Sequence, residues 1–194
     1  MKVLLINGSR REKGCTYTAL SLVAGALNED GIETEILFVG KETMNGNIDS
    51  IVRTAAEKMK ECDGLVVGSP VYYAGPSGEI TAFLDRLFSS ALGVLRLKPA
   101  AAVSSARRAG TTATLDALNK YFTFAEMPIV SSRYWNEVHG ATPEDVLADK
   151  EGVQIMEVLG HNMAWLLRSI AAGKEAGIVS PDPVVKVFTS FIRK

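Results

Sequence analysis

The chain has 194 residues, of which 47% are hydrophobic and 22% charged, and its formal net charge is −1. This length and composition are ordinary for one globular domain with a sizeable core, and the charge gives no overall bias towards nucleic acid. No apolar run approaches the ~20 residues that a membrane helix needs, and the N-terminal pattern is a strand rather than a signal peptide. We therefore expect a cytoplasmic protein with neither a nucleic-acid nor a membrane partner.

Five short apolar runs alternate with segments of helical period along the chain. The predicted strands cover residues 2–6, 33–39, 65–68, 100–103 and 127–130. A long helix is predicted from about Lys150 to Ala172, after an irregular segment over residues 131–149. Alternation of this kind predicts an α/β fold with right-handed βαβ crossovers. We expect a doubly wound five-stranded parallel sheet in the order 2-1-3-4-5, with helices on both faces.

The domain is expected to span residues 1–180. Beyond it, residues 181–194 carry apolar side chains at the spacing of one more short amphipathic helix. Such a helix has two expected locations, a subunit interface or the surface of its own subunit.

The first predicted strand is followed at once by a polar loop, Asn7-Gly8-Ser9-Arg10-Arg11-Glu12-Lys13-Gly14-Cys15-Thr16. A helix begins directly after it, so free backbone N–H groups and the positive end of the helix dipole face the loop. Hydroxyl groups of Ser9 and Thr16 and the charges of Arg10 and Arg11 surround the same place. Each hydroxyl taken singly is as well explained by helix capping, but the combination predicts a phosphate site.

Two nucleotide-binding motifs are excluded by the spacing of this loop. Gly8 and Gly14 are separated by five residues and Cys15 stands where a P-loop has lysine. The Gly-x-Gly-x-x-Gly pattern of dinucleotide folds is also missing after the strand. A single terminal phosphate is therefore favoured over a triphosphate or a dinucleotide.

Two further polar loops follow the third and fourth predicted strands, over residues 69–78 and 104–112. In the order 2-1-3-4-5, strands one, three and four are neighbours, so the three loops meet at the carboxyl edge of the sheet, where ligands bind in such folds. Tyr72 and Tyr73 of the second loop are explained equally well by packing and by contact with a ligand. Arg107 of the third loop is explained more simply as a solvated charge than as a ligand contact.

The two cysteines, Cys15 and Cys62, lie far apart and lack a Cys-x-x-Cys neighbour. We therefore expect no disulfide and no metal site. Cys15 begins a helix, where a thiolate would be stabilised, but a role as a backbone N–H donor is favoured because no histidine lies near it in the sequence.

The segment Gly68-Ser69-Pro70-Val71-Tyr72-Tyr73, followed by Phe83-Leu84-Asp85-Arg86, resembles the flavodoxin-like NAD(P)H-dependent FMN reductase family. The first loop resembles the phosphate loop of that family. The resemblance implies a flavodoxin-like fold, FMN as cofactor, NADPH or NADH as co-substrate, and a homodimer or a tetramer of dimers. It implies no catalytic residue of the protein's own, because the flavin carries the chemistry.

The resemblance also implies which residues form the cofactor site. The phosphate loop supplies Ser9, Arg10, Arg11, Gly14, Cys15 and Thr16, the ribityl and ring contacts come from Pro70, Val71, Tyr72, Tyr73 and Gly75, and the ring's other edge is closed by Ser104, Arg107 and Gly110. The chain departs from the family where Arg10 replaces a proline and Cys15 an asparagine. This leaves open which of Arg10, Arg11 and Cys15 contacts the phosphate.

Related iron–sulfur flavoproteins carry a cysteine cluster after the second strand, but residues 40–47 contain no cysteine, so no iron–sulfur cluster is expected. The leading hypothesis is an FMN-dependent oxidoreductase that takes a hydride from NAD(P)H and passes electrons to a flavin, quinone or other small acceptor. The first alternative is an FMN-binding electron carrier without NAD(P)H activity, which the near-neutral charge and the arginine pairs disfavour. A further alternative is an anion-binding α/β domain that holds no flavin.

Overall fold

The computed structural model describes residues 1–189 and 191. Its strands are β1 (Lys2–Asn7), β2 (Glu33–Phe38), β3 (Gly64–Tyr72), β4 (Gly75–Pro76), β5 (Ala100–Ala106) and β6 (Glu137–His139). Its helices are α1 (Cys15–Glu29), α2 (Gly40–Met44), α3 (Ile48–Glu61), α4 (Gly78–Ser90), α5 (Leu92–Leu95), α6 (Thr111–Phe124), α7 (Pro143–Ala148) and α8 (Lys150–Glu175).

The sheet runs in the order β2-β1-β3-β5-β6, with all four neighbouring pairs parallel. The short strand β4 folds back antiparallel onto the end of β3. This confirms the predicted flavodoxin-like class. Strand order reverses between β1 and β3, which is where the carboxyl ends of a doubly wound sheet leave a ligand-binding crevice.

Helices cover both faces of the sheet, and two apolar cores result. Alternate residues of β1 point to opposite faces, so Leu4 and Ile6 join one core while Val3 and Leu5 join the other. Helices α3, α4 and α6 pack on the first face, and α1 and α8 on the second. The continuous apolar sequence of the central strands follows from burial on both sides.

The edge strand differs from the prediction over residues 127–130. That stretch makes a single parallel bridge, between Ile129 and Ala100, and the longer pairing with β5 comes from β6. The backbone amide of Val130 donates to the carbonyl of Ala100, and the chain then loops out before it returns to the sheet. Pro128 offers no N–H group, so this stretch is poorly suited to a full ladder.

Three short helices lie in stretches that the periodicity did not mark as helical, α2, α5 and α7, and α7 falls within the segment expected to be irregular. The predicted C-terminal helix is not found over residues 181–189, which form neither helix nor strand. The rest of that predicted helix falls largely outside the described residues. Among the helices that the structure describes, none is both long and apolar enough to cross a membrane.

Candidate functional site

A cavity of about 290 Å³ opens at the carboxyl edge of the sheet, beside the point where strand order reverses. The loops after β1, β3 and β5 meet in its wall, and the loop between β6 and α7 adds a fourth side. The lining residues are Ser9, Arg11, Gly14, Cys15, Thr16, Pro70, Val71, Tyr72, Ser105, Ala106, Arg107, Gly140 and Ala141.

The loop after β1 is held in shape by its own buried side chains. Asn7 at the end of the strand donates from Nδ2 to the carbonyl of Glu12 (2.8 Å) and accepts at Oδ1 from the amide of Ser9 (3.1 Å). The hydroxyl of Ser9 in turn accepts from the amide of Arg11 (3.1 Å). These bonds wrap the loop over the end of its own strand and turn Arg11 towards the cavity.

Helix α1 starts inside the cavity wall without a side-chain cap. Its first intrahelical bond runs from the amide of Thr18 to the carbonyl of Gly14 (3.0 Å), so the amides of the preceding turn have no helical acceptor. These donors and the positive end of the helix dipole face the space that Arg11 also borders. The electrostatics of this corner therefore favour an anion.

Two buried hydroxyl groups join the first loop to the third. Thr16 and Ser105 are almost fully buried, and their Oγ1 and Oγ atoms lie 2.8 Å apart. The bond ties the first turn of α1 to the end of β5, which fixes the width of the cavity between them.

The first loop also requires a glycine from a different element. A Cβ atom on Gly40, at the start of α2, would lie 1.9 Å from the carbonyl oxygen of Ser9. The nearest atoms are backbone atoms of Ser9 and Arg10, so a side chain at position 40 could be accommodated only by moving the loop. The position of α2 therefore helps to set the position of Ser9.

The second loop is a tight hairpin between β3 and β4 with two residues in the left-handed region. Tyr73 and Ala74 have φ angles of 51° and 57°, and such angles are unfavourable for residues with a Cβ atom. Gly110 packs against this turn, since a Cβ atom there would lie 2.8 Å from the Cα of Ala74. Tyr72 lies at the cavity mouth, half exposed, whereas the side chain of Tyr73 projects fully into solvent.

Arg10 points away from the cavity and pairs with Glu79 at the start of α4. Burial opposes ionisation of Glu79, but hydrogen bonds from Arg10, the Glu79 amide and Ser77 outweigh it and hold the pKa of the carboxyl below its ordinary value. The guanidinium also lies 5.9 Å from the centroid of the Tyr72 ring. Arg10 thus braces the loops, and Arg11 is the arginine of this loop that borders the cavity.

Cys15 faces the fourth side of the cavity, where its Sγ lies 3.7 Å from the carbonyl oxygen of Gly140. Burial raises the pKa of the Cys15 thiol, although its backbone amide and Arg11 act in the opposite direction. A raised pKa keeps the thiol neutral at pH 7 and makes it a poor nucleophile. This agrees with the preference for Cys15 as a backbone donor.

Nine of the fourteen residues that the sequence predicted for the site line the cavity. The other five are Arg10, Tyr73, Gly75, Ser104 and Gly110, and they lie next to the lining rather than in it. Four lining residues are additional: Ser105, Ala106, Gly140 and Ala141. Strand alternation could have distinguished Ser105 from Ser104, whose side chain is fully buried in β5. The loop at residues 140–141 falls in the segment expected to be irregular, and its place in the cavity wall was not predicted because β6 was not predicted.

The amino-acid sequence matches known proteins over most of its length. Residues 1–142 match the family model described as NADPH-dependent FMN reductase. The chain is 29% identical over 195 residues to an iron–sulfur flavoprotein of Methanocaldococcus jannaschii, covering 88% of this chain and 99% of that protein. It is 29% identical over 153 residues to the FMN reductase (NADPH) of Escherichia coli, covering 75% and 74%.

The relative from M. jannaschii differs in one respect that its name makes plain. A four-cysteine ligand set is the usual one for an iron–sulfur cluster, whereas this chain contains two cysteines. Cys15 lies in the cavity wall and Cys62 is buried after α3. The four cysteines of such a ligand set are therefore not available in this chain.

The fold is similar to that of RosB, whose crystal structure holds 8-demethyl-8-formylriboflavin-5′-phosphate. The TM-score is 0.71 at 15% identity, over 98% of this chain and 92% of that one. The match over residues 1–142 identifies the family, and the order of the sheet agrees with it. The chain belongs to the NADPH-dependent FMN reductase family, a family of flavodoxin-like oxidoreductases.

Proposed function

We propose that this protein is an FMN-dependent oxidoreductase that takes a hydride from NADPH or NADH and passes electrons to a small acceptor such as a flavin or a quinone. The observation that carries the proposal is the meeting of Arg11, the uncapped start of α1 and the half-exposed ring of Tyr72 around one cavity. A cavity that combines an anion site with an aromatic side chain suits a phosphorylated flat ring better than it suits a phosphate alone or a ring alone.

The phosphate would be held at the corner formed by the first loop and α1. Ser9 and Thr16 offer hydroxyl groups, the first turn of α1 offers amides, and Arg11 offers a guanidinium that bonds phosphate oxygens well. Arg10 would contribute indirectly, because its ion pair with Glu79 supports the loop. Cys15 would take part through its amide rather than its thiol.

The ring would lie at the mouth of the cavity, between Tyr72 and the loops at residues 105–107 and 140–141. A volume of about 290 Å³ is at the low end for a small-molecule site, where values from ~300 Å³ are usual. Part of the ring would then lie beyond the walls of one subunit, which supports the proposed homodimer or tetramer. The backbone of the Tyr73–Ala74 turn would border the ring's polar edge.

FMN, when bound, supplies the hydride chemistry, and the protein supplies binding, orientation and electrostatics. The residues around the cavity agree with this division. Among the described residues, the cavity lining contains no histidine and no carboxylate. Its charged members, Arg11 and Arg107, suit anionic groups of a cofactor or co-substrate. We further propose that the protein works in the cytoplasm.

The proposal is tested by the absorbance of the purified protein with added FMN, followed by anaerobic mixing with NADPH and with NADH. We expect a stoichiometric flavin spectrum and rapid bleaching of its visible absorbance by at least one of the two nucleotides, which is the sign of hydride transfer to a flavin. A protein that gains no flavin spectrum contradicts the proposal and favours a non-flavin anion-binding domain. A flavin that binds but stays oxidised with both nucleotides favours the electron carrier.

A further inference from the structure

The end of the described chain leaves the domain with its apolar side chains in solvent. We call residues 181–189 and 191 the C-terminal arm. It forms no helix or strand over residues 181–189, and its large apolar side chains are between 84% and 96% exposed: Val184, Val185, Val187, Phe188 and Phe191. Contiguous apolar surface of this kind marks an interaction site in a folded protein.

An apolar groove of about 740 Å³ lies between α4 and α6, next to the arm. We call it the α4–α6 groove, and its apolar lining comes from Pro76, Phe88, Leu92, Ala117, Tyr121 and Phe124. The hydroxyl of Tyr121 donates to Asp85 Oδ1 (2.5 Å), so these two polar groups in the lining satisfy each other. Phe124 at the rim is exposed to solvent.

The arm is anchored at its root and reaches the rim of the groove. Arg96 donates from Nη1 to the carbonyl of Pro181 (2.9 Å) while its Nε pairs with Glu126 (2.7 Å). Five residues further on, Lys186 Nζ lies 5.1 Å from the centroid of the Phe124 ring. Val185 and Val187 on either side of Lys186 nevertheless stay 88% and 96% exposed, so their side chains gain almost nothing from their own subunit.

We propose that the α4–α6 groove binds the C-terminal arm of a second copy of this chain, and that the exchange is reciprocal. Each copy carries an apolar arm and, next to it, an apolar groove. A two-fold axis between two copies therefore places each arm in the groove of the other copy and closes the assembly. An extended chain spans up to ~3.3–3.6 Å per residue, so the arm beyond Pro181 is long enough to cross such an interface. Lys186 would stay over Phe124 as a cation over an aromatic ring.

The exchange would also reach the functional site. Pro76 lines the groove and pairs in register with Val71, which lines the cavity. An arm seated in the groove therefore packs against the hairpin that carries Tyr72. The inference rests on the self-association included in the proposed function and is independent of the flavin chemistry.

The test uses the full chain and compares three charge-introducing variants by sedimentation velocity. The double variant Val185→Glu/Phe188→Glu places carboxylates on the arm, and Ala117→Glu places one in the groove. Thr189→Glu is the control, because it adds one carboxylate to an exposed polar position of the same arm, the same charge that Ala117→Glu adds to the groove. We expect the arm and groove variants to weaken self-association at least tenfold and the control to match the unmodified chain.

A mixing experiment distinguishes exchange between copies from packing within one copy. A size-tagged chain with Val187→Cys is mixed with an untagged chain with Ala117→Cys under mild oxidation, and linked peptides are identified by mass spectrometry. A disulfide between the tagged and untagged chains supports the proposal. A third sample is a chain that carries both cysteines, and a link within it at monomer mass overturns the proposal. The absence of any link also overturns it, as does an assembly that the arm and groove variants leave intact.

The flavin spectrum is recorded for the same samples. An intact dimer without the 187–117 link overturns the arm exchange and leaves the proposed function standing. A link in a protein that binds no FMN supports the exchange and contradicts the proposed function. Circular dichroism shows whether each variant has folded, and the arm substitutions alter side chains that are exposed within their own subunit.

Discussion

Arg10 and Glu79 form an ion pair that joins the loop after β1 to the start of α4. The carboxylate is buried and the guanidinium is largely exposed, so the pair closes the side of the loop that faces away from the cavity. Two adjacent arginines that the sequence could not tell apart therefore have different surroundings. Arg11 borders the anion corner, and Arg10 neutralises a carboxylate that burial alone would disfavour.

Substituting Arg11 by glutamine should weaken FMN binding about tenfold, which corresponds to ~1.4 kcal/mol for a lost charge-assisted bond to phosphate. Riboflavin, which lacks the phosphate, should bind the variant and the unmodified protein equally. Fluorescence titration with both flavins measures this. Lys13→Gln is the control, since Lys13 is exposed in the same loop and outside the cavity lining. An equal loss for riboflavin would place the effect on the fold rather than on the phosphate.

Substituting Arg10 by glutamine should lower thermal stability in a pH-dependent way. The pKa of Glu79 is depressed in the folded protein from its ordinary 4.5. A depressed carboxyl pKa contributes stability that is present above pH 4.5 and is lost as the pH falls through the folded value. The difference in Tm between Arg10→Gln and the unmodified protein should therefore be largest near neutral pH and shrink in acid, as measured by calorimetry from pH 3 to 8. A difference that does not change with pH would show that the ion pair is not its source.

Substituting Gly40 by alanine should destabilise the protein by about 1–3 kcal/mol, because the new Cβ must displace the backbone of Ser9. For a chain of this size each kcal/mol lowers Tm by roughly 2–4 °C. FMN affinity should fall as well, since the phosphate loop moves. The matched control is Gly25→Ala, which lies within α1 with no atom near the new Cβ and should raise stability by ~0.5–1 kcal/mol. Equal effects at the two positions would contradict the close approach at Ser9.

Substituting Tyr73 by asparagine should raise the free energy of unfolding by about 0.5–1 kcal/mol. Asparagine adopts the left-handed conformation more readily, and the fully exposed tyrosine ring makes no packing that would be lost. FMN affinity should stay within about twofold, because Tyr73 would border the cofactor through its backbone. Tyr72→Asn, one residue earlier and in the lining, should weaken FMN binding without stabilising the protein. Urea denaturation and flavin titration measure the two effects. A tenfold loss of FMN affinity in Tyr73→Asn would show that the Tyr73 ring itself contacts the cofactor.

The amino-acid sequence by itself was sufficient for the order of the first four parallel strands, the three polar loops and the family. Central strands are buried on both faces, so their sequences are continuous apolar runs. A polar loop between such a strand and a helix is a local pattern that the sequence shows directly. The motif around Pro70 and Tyr72 is also contiguous, so it is visible without coordinates.

Tertiary structure decided what depends on contacts between distant residues. The pairing of Arg10 with Glu79 spans 69 positions, and that of Thr16 with Ser105 spans 89. The edge strand β6 is three residues long and is held by its pairing with β5, so no periodicity could mark it. The C-terminal arm shows the converse case. Its apolar spacing fits a helix, but an amphipathic helix is stabilised mainly by the surface it packs on, and residues 181–189 leave their apolar side chains exposed instead.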